Sequence, residues 1–171
     1  MKYRTIVADP PWPMPWQDGA TTRVNGRGER HVNHAAARRG LPYQTLSVAE
    51  IAALPVALLA EGDAHVYIWA PDRFVIDGSA TAVMLAWGLT PMRFLVWAKP
   101  GFGLGVFPRP QHELVLIGRR GSLPFYLRTA GSVQRWKQPY GPAAGGVGRT
   151  HSQKPEGFID LVEQASPGPY V

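Results

Sequence analysis

The chain has 171 residues, enough for one domain with a buried core, and its formal net charge is +6. It contains no cysteine, which excludes disulfides, thiolate metal sites and a cysteine nucleophile and is typical of a cytoplasmic protein. No apolar run reaches the roughly 18 residues of a transmembrane helix, no signal peptide is recognisable, and the histidines lack metal-ligand spacing. We therefore predict a single domain, residues 1–171, that does not enter a membrane and needs no metal.

The first predicted element is a buried strand, Tyr3–Ala8, because these residues are largely apolar and rich in β-formers. The strand ends at Asp9-Pro10-Pro11-Trp12, where two prolines fix φ, remove two backbone donors and prevent a helix from starting. A carboxylate, rigid carbonyls and an indole ring are thus expected together at the C-terminal end of a strand. In open α/β sheets, ligands bind at that edge.

Helices and strands are predicted to alternate after an irregular stretch over residues 13–46. Ser47 and Glu50 have the spacing of a capping box, so a helix should begin there, be interrupted at Pro55 and continue to Leu59. The remaining predicted elements are, in chain order, a strand over 64–70, a helix over 72–87 ending at Gly88, a strand over 92–98, a loop over 101–110, a strand over 113–117, a glycine-rich loop over 141–148 and a last helix that Pro155 opens as its first residue. This alternation predicts an α/β domain with a mainly parallel sheet.

Positive charge is concentrated in two segments that are rich in glycine and proline. Residues 12–44 carry a net charge of +3 and residues 100–153 one of +6, so the rest of the chain sums to −3. Arginine dominates both segments; it suits bidentate phosphate contacts and stacking on bases, although a GC-rich genome would also favour it over lysine. We predict that these segments bind a polyanion.

The Asp-Pro-Pro-Trp stretch suits methyl transfer to an exocyclic amine of a nucleobase. Such a nitrogen is planar and a poor nucleophile, because its lone pair is delocalised into the ring. Asp9 and the Pro10 carbonyl can accept both of its N–H groups, hold them rigidly, and take up the released proton. Aromatic or proline faces are needed to grip the base, and the candidates are Trp12, Pro11 and Tyr43.

Further motifs follow the strand and DPPW in an order typical of one family. They are LPYQTLS, HVYIWA, WGL, LVWAKPG, HELVLIGRRG and HSQKPEGFIDLVEQASPGPYV. In these motifs the chain resembles the DPPW-type S-adenosylmethionine-dependent adenine-N6 methyltransferases, the family of the catalytic subunit of the messenger-RNA adenosine methyltransferase and its bacterial and phage relatives. The resemblance covers nearly the whole chain. It implies a Rossmann-like methyltransferase sheet in permuted strand order and S-adenosylmethionine as the cofactor.

The resemblance also implies a role for the DPPW residues and for the tyrosine of LPYQTLS. Asp9 and Pro10, flanked by Pro11 and Trp12, would form the catalytic turn that holds the target amino group. Asp9 would also lie near the amine of the cofactor. Tyr43 would pack on the adenine, although a tyrosine in a loop is also a common structural anchor.

For the later motifs, the resemblance implies substrate and cofactor contacts. Glu113 would organise the base pocket, and Ser152 and Lys154 of the Ser-x-Lys-Pro segment would bind the cofactor, with Lys154 also reaching the base. Lys99 would contact a phosphate. The alternatives are a solvated strand start for Glu113 and a surface charge for Lys154, while Trp69, Trp87 and Trp97 are expected in the core.

Mobile loops over residues 12–44 and 100–112 would line the nucleic-acid channel, with Arg38, Arg39 and Arg109 among the substrate contacts. In the resembled family a further strand and cofactor motif follow the point where this sequence ends. We therefore expect a missing C-terminal segment or a protein partner to complete the cofactor site.

The resemblance implies that the chain is an adenine-N6 methyltransferase acting on nucleic acid. DNA is favoured over RNA, because a compact chain without appended targeting domains is typical of bacterial or phage enzymes. Two alternatives remain open at this point. One is a cytosine-N4 DNA methyltransferase, whose target is a similar planar amine. The other is a non-catalytic or partner-dependent nucleic-acid-binding subunit.

Overall fold

The centre of the structure is a five-stranded β-sheet whose strands come from both halves of the chain. The structure is a computed structural model, and it describes residues 1–13, 22–24, 30–32, 43–102, 108–138, 140–143, 146–149 and 153–171. The strands of these residues are β1 (Tyr3–Ala8), β2 (Thr22–Val24), β3 (Arg30–Val32), β4 (Ala60–Ala70), β5 (Thr90–Ala98), β6 (His112–Arg120), β7 (Val133–Gln134), β8 (Tyr140–Ala143) and β9 (Gly146–Arg149). The main sheet has the strand order β1-β4-β6-β5-β7.

Strand β6 runs opposite to the other four strands of the main sheet. β1 pairs with β4, and β5 with β7, in parallel, whereas β4 and β5 both pair with β6 in antiparallel. The described part of the connection from β5 to β6 contains no helix, and an antiparallel pair needs none, whereas a parallel pair needs a long crossover. The predicted α/β class with a Rossmann-like sheet is confirmed, but the expectation of a mainly parallel sheet is wrong at β6.

Short helices flank the sheet: α1 (Val48–Ala52), α2 (Val56–Leu59), α3 (Asp72–Ile76), α4 (Ser79–Ala86) and α5 (Glu156–Ala165). The predicted capping box is confirmed: the Glu50 N–H donates to Ser47 Oγ at 3.2 Å, and the Ser47 N–H donates to the Glu50 carboxylate at 2.8 Å. The single helix predicted over 72–87 is wrong, because Gly78 adopts a left-handed φ of 80° and separates α3 from α4. Pro155 is the N-cap of α5 and not its first helical residue.

Each face of the sheet carries its own apolar layer, because neighbouring residues of a strand point to opposite faces. Along β4, Val66 packs in the layer that contains residues of α1 and α4, and Tyr67 and Trp69 pack in the layer that contains residues of α5. Trp87 and Trp97 are buried as well, so all three tryptophans expected in the core are found there. Helices thus cover both faces of the sheet.

The last residues of the chain lie parallel to β1 at its outer edge. The Val7 N–H donates to the Val171 carbonyl at 2.8 Å, and the Val171 N–H donates to the Thr5 carbonyl at 3.1 Å. Thr5 also donates its hydroxyl to the Pro167 carbonyl at 2.7 Å. The segment after α5 is therefore tied to the sheet over its whole length.

A buried polar cluster fixes the point at which this segment leaves α5. Tyr67 Oη lies 2.7 Å from Ser166 Oγ, which in turn lies 2.8 Å from Nδ1 of His65. His65 Nε2 lies 2.9 Å from the Leu123 carbonyl, which can only accept, so the ring hydrogen is on Nε2. Nδ1 then accepts from the Ser166 hydroxyl, and Ser166 accepts from Tyr67.

Within the described residues, two further strand pairs lie outside the main sheet. β2 pairs with β3, and β8 with β9, both in antiparallel. We predicted an irregular stretch over residues 13–46 and a loop over residues 141–148. Both predictions are wrong at these strands, because the hydrogen bonds of a strand pair are made by the backbone. Within the described ranges, no helix is long and apolar enough to cross a membrane.

Candidate active site

The turn that follows β1 is held by three hydrogen bonds. The Trp12 N–H donates to the Pro10 carbonyl at 2.8 Å, and the Leu46 N–H donates to the Pro11 carbonyl at 2.9 Å. The Trp12 indole N–H donates to the carbonyl of Trp69, near the end of β4, at 2.7 Å. The backbone of the turn is therefore fixed before any ligand binds, which removes a reorganisation cost from a reaction there.

Trp12 itself is a core residue. It is 3% exposed, and its ring stacks on Phe74 with centroids 4.8 Å apart. A buried ring offers no open face, so the expectation that Trp12 stacks on the base does not fit the structure. Trp12 positions the turn, and Pro11 and Tyr43 remain the candidates for gripping a base.

Four charged side chains form a continuous chain beside this turn. Lys154 Nζ lies 3.1 Å from Asp9 Oδ2 and 3.2 Å from Glu113 Oε2, so it bridges the two carboxylates. Lys99 pairs with the other oxygen of Glu113. The side chains of the two lysines and of Glu113 are 23–30% exposed, and that of Asp9 is 46% exposed. Asp9 is thus the member of the chain most open to a ligand.

Two tryptophan rings lie under the ammonium groups. Lys154 Nζ lies 4.8 Å from the Trp69 ring centroid, and Lys99 Nζ lies 4.7 Å from that of Trp97. The two rings meet edge to face, with centroids 6.2 Å apart. Cation–π attraction at such distances contributes about 0.5–2 kcal/mol, so the rings help to hold both lysines in place.

The reversed direction of β6 brings Glu113 to this site. Asp9 follows the C-terminal end of β1 and Lys99 that of β5, whereas Glu113 is the second residue of β6 and pairs with Trp97. In a parallel sheet, a residue at the start of a strand would lie at the opposite edge. Because β6 is antiparallel, its first residues and the last residues of its neighbours share one edge.

The environment moves the pKa values of the two carboxyl groups in opposite directions. Burial raises the pKa of Asp9, and the nearby charge of Glu113 raises it further, while Lys154 opposes both without cancelling them. Burial also acts to raise the pKa of Glu113, but the attraction of Lys154 and Lys99 outweighs it and holds that pKa below its ordinary value. Glu113 is thus kept ionised, and Asp9 is the group made more basic. Such a divergence is typical of sites where one carboxylate handles a proton and another sets the field.

The other predicted site residues have different positions. Tyr43 is 44% exposed and lies three residues before Leu46, whose N–H is bonded to the turn. Arg109 is exposed, with its guanidinium carbon 5.3 Å from the Phe102 ring centroid. Lys99 lies within the ion-pair chain rather than on an open basic surface. Arg38, Arg39 and Ser152 lie outside the described residues.

Trp69 and Trp97 were expected in the core alone, but they also face the two lysines. Both are buried, so the core assignment is correct. The missed signal is their position in the strands: Trp69 and Trp97 each lie within two residues of the strand end that borders the site. An aromatic ring that close to a functional edge can serve both the core and the site.

The same residues define what could be held here. The exposed carboxylate of Asp9 suits a cationic group such as a sulfonium or an ammonium, and the neighbouring lysines suit a carboxylate, so the donor set fits the charges of S-adenosylmethionine. Within the described ranges, no three histidine, aspartate or glutamate side chains come together as a metal site would require.

The chain is similar to known proteins over nearly its whole length. The family model described as MT-A70 matches residues 3–169. The Type II methyltransferase M.MunI of Mycoplasma sp. is 27% identical over 173 residues, which cover 97% of this chain and 68% of that protein. The family match therefore includes the turn after β1, the main sheet and every residue of the ion-pair chain.

Proposed function

The chain belongs to the MT-A70 family and is a methyltransferase, and on that premise we propose that it transfers a methyl group from S-adenosylmethionine to the N6 amino group of adenine in nucleic acid. We propose DNA rather than RNA as its main substrate. The observation that carries the proposal is the rigid turn after β1. It fixes the Asp9 carboxylate and the Pro10 carbonyl in place next to an ordered chain of charges. No metal takes part in this proposal.

The turn offers two acceptors to an amino group. The Pro10 carbonyl already accepts one hydrogen bond from Trp12, and an amide oxygen has a second lone pair for another. Lys154 holds Oδ2 of Asp9, and Oδ1 would be the acceptor for the amine. These two acceptors would bind both N–H groups and draw the nitrogen from planar toward tetrahedral geometry, which frees its lone pair for attack.

Asp9 would also take the proton. As the adenine nitrogen forms its bond to the methyl carbon, it becomes positively charged and acidic, and the adjacent carboxylate accepts one of its hydrogens. The raised pKa of Asp9 makes it a better base than an ordinary aspartate, although it must still be ionised to act. S-adenosylmethionine, when bound, would supply an electrophilic methyl group on a positively charged sulfur.

Asp9, Lys154 and Ser152 are the proposed cofactor contacts, and Tyr43, Glu113 and Lys99 would border the base and its phosphate. The ionised Glu113 keeps both lysines oriented, as its two oxygens each hold one of them. Arg38, Arg39 and Arg109 would contact phosphates of the nucleic acid. A protein partner that completes the cofactor site also remains part of the proposal.

The acceptor pair alone does not distinguish adenine N6 from cytosine N4, since both are planar exocyclic amines. Methyl transfer from labelled S-adenosylmethionine should therefore be measured on DNA and RNA oligonucleotides that lack adenine or lack cytosine. We expect label only where adenine is present, and more label in DNA than in RNA.

The matched variants for this experiment are Asp9→Asn and Glu163→Gln. Asp9→Asn removes the base and the negative charge that pairs with Lys154 but keeps one oxygen acceptor, so transfer should fall at least about 100-fold. Glu163→Gln removes an exposed acid of α5 away from the turn and should leave transfer unchanged. Label confined to cytosine would establish the N4 alternative. Methyl transfer by Asp9→Asn at the wild-type rate would contradict the proposal. Oligonucleotide binding without cofactor binding or transfer would support the non-catalytic alternative.

A further inference from the structure

A cavity lies against the first turns of α5 and is not used by the mechanism above. Its volume is about 430 Å³, within the roughly 300–1,000 Å³ of small-molecule sites. It is lined by Trp136, Lys137, Gln138, Gln153, Glu156, Gly157 and Asp160. One aromatic ring, two amides and three charged groups are thus collected around one space.

The aromatic wall of the cavity is firmly placed. The Trp97 indole N–H donates to the Trp136 carbonyl at 3.1 Å, and the Trp136 ring meets Phe158 edge to face at 5.9 Å. Gly157 leaves room for that ring, since a Cβ there would lie 2.4 Å from Trp136 Cδ1. The indole therefore lies directly against the first turn of α5.

The cavity and the ion-pair chain share structural supports. Gln153 in the cavity wall immediately precedes Lys154, which bridges Asp9 and Glu113. Trp97, which anchors Trp136, carries Lys99 on its ring face. Gln153 and Lys154 are consecutive residues, so the cavity wall adjoins the residue that holds Asp9.

The chemistry of the lining selects one class of ligand. Two carboxylates against one lysine disfavour a phosphate, and the amides and charges disfavour an apolar molecule. An indole ring suits stacking on a base, carboxylates accept from the N4 amine of cytosine, and glutamine amides pair with the edge of adenine.

Resting on the proposed function, we propose that this cavity binds a second nucleobase, the neighbour of the target adenine in the same strand, and prefers a base with an exocyclic amine. Trp136 would stack on the base, and Asp160 or Glu156 would accept its amine. Thymine and uracil present a carbonyl oxygen at that position, which would meet a carboxylate and be rejected. The cavity would thus give the enzyme a preference for sequence context.

The probes are single-stranded DNA oligonucleotides with one adenine, differing at one neighbouring position between 5-methylcytosine and thymine. These bases differ in the amine or carbonyl at C4 and in the associated N3 protonation, while both carry the methyl group. Dissociation constants are measured with S-adenosylhomocysteine present, and methyl transfer is measured on the same oligonucleotides. The proteins are wild type, Asp160→Asn, Glu156→Gln and, as the control on the same helix, Glu163→Gln.

We expect wild type and Glu163→Gln to bind the 5-methylcytosine oligonucleotide about 5- to 100-fold more tightly at one of the two neighbouring positions. Asp160→Asn or Glu156→Gln should bring that ratio close to one, with an unchanged melting temperature. Equal binding of both oligonucleotides by wild type would overturn the inference, as would a ratio that neither variant changes.

Two further measurements distinguish an error in this inference from an error in the proposed function. If the variants weaken S-adenosylhomocysteine binding without DNA and leave the ratio unchanged, the cavity holds the cofactor's own adenine and the inference is wrong. Methyl transfer without context preference would remove this inference and leave the proposed function intact. Context preference in binding without methyl transfer to adenine would support this inference and contradict the proposed function.

Discussion

Lys154 is the residue whose loss should reveal how the site works. Lys154→Met removes the ammonium that lies between Asp9 and Glu113 but keeps a long apolar stem over Trp69. Both carboxylate oxygens lie within hydrogen-bond distance of the same Nζ, so they are no more than about 6 Å apart. Two unit charges at about 6 Å repel by about 0.7 kcal/mol in bulk water and about 3 kcal/mol at an effective dielectric constant of about 20.

The repulsion acts on the group that must be ionised. Without Lys154, burial and Glu113 would both raise the pKa of Asp9 with nothing opposing them. A smaller fraction of Asp9 would then be ionised wherever the pH lies below its raised pKa. Since about 1.4 kcal/mol corresponds to a tenfold change in an equilibrium constant, the ionisation constant of Asp9 should fall about 3- to 100-fold, and kcat/KM should fall by as much in that acidic range.

The assay is methyl transfer to a single-stranded DNA oligonucleotide between pH 5.5 and 9. Because Asp9 must be ionised to act, the rate should fall toward the acid end of this range as the pH approaches the raised pKa of Asp9, and in Lys154→Met the fall should begin at a higher pH. Lys2→Met, a change of an exposed lysine near the N-terminus, is the control and should match wild type. A Lys154→Met variant with the wild-type rate and the wild-type pH profile would refute the reasoning.

Three further predictions concern parts of the structure that support the site. Trp12→Phe keeps the stacked ring but removes the indole N–H that donates to the buried Trp69 carbonyl. The free energy of unfolding should therefore fall by about 1–3 kcal/mol and the melting temperature by about 2–10 °C. An unchanged melting curve would show that this hydrogen bond does not stabilise the protein. Burial lowers the pKa of His65 in the folded state below the unfolded value near 6.5, so stability should be lost as the pH falls from about 6.5 toward the folded pKa. Urea denaturation at several pH values would measure this loss. An equally steep loss in His65→Gln would exclude His65 as its source. Gly157→Ala should lower the free energy of unfolding by about 1–3 kcal/mol, because the added Cβ would overlap the rigid ring of Trp136. A variant that melts at the wild-type temperature in calorimetry would contradict this packing.

Local signals in the sequence were sufficient for most elements of the fold. The first strand, Tyr3–Ala8, and the capping box of Ser47 and Glu50 were predicted as found, since apolar runs and caps act over a few residues. The break at Gly78 was missed because the apolar spacing continues across it. The direction of β6 was missed for a different reason: strand pairing depends on the connection between strands, and periodicity carries no information about it.

For the candidate site, the residue types were predictable and their arrangement was not. Asp9, Glu113 and Lys154 were all selected from motifs, and the structure brings them into one ion-pair chain. The bridging position of Lys154 and the pairing of Lys99 with Glu113 depend on the meeting of distant segments. The burial of Trp12 likewise depends on Phe74, a residue that no local pattern connects to the turn.

The ion-pair chain also has a consequence for how the protein acquires its site during folding. Lys99 and Glu113 are 14 residues apart and come together as soon as β5 meets β6, whereas Lys154 is 41 residues from Glu113 and reaches Asp9 only when the two ends of the chain close. Closing a longer loop costs more entropy, so the Asp9–Lys154 contact is expected to form late. A partly folded chain can therefore contain half of the charge network, but its proton acceptor is completed only with the last closure of the chain.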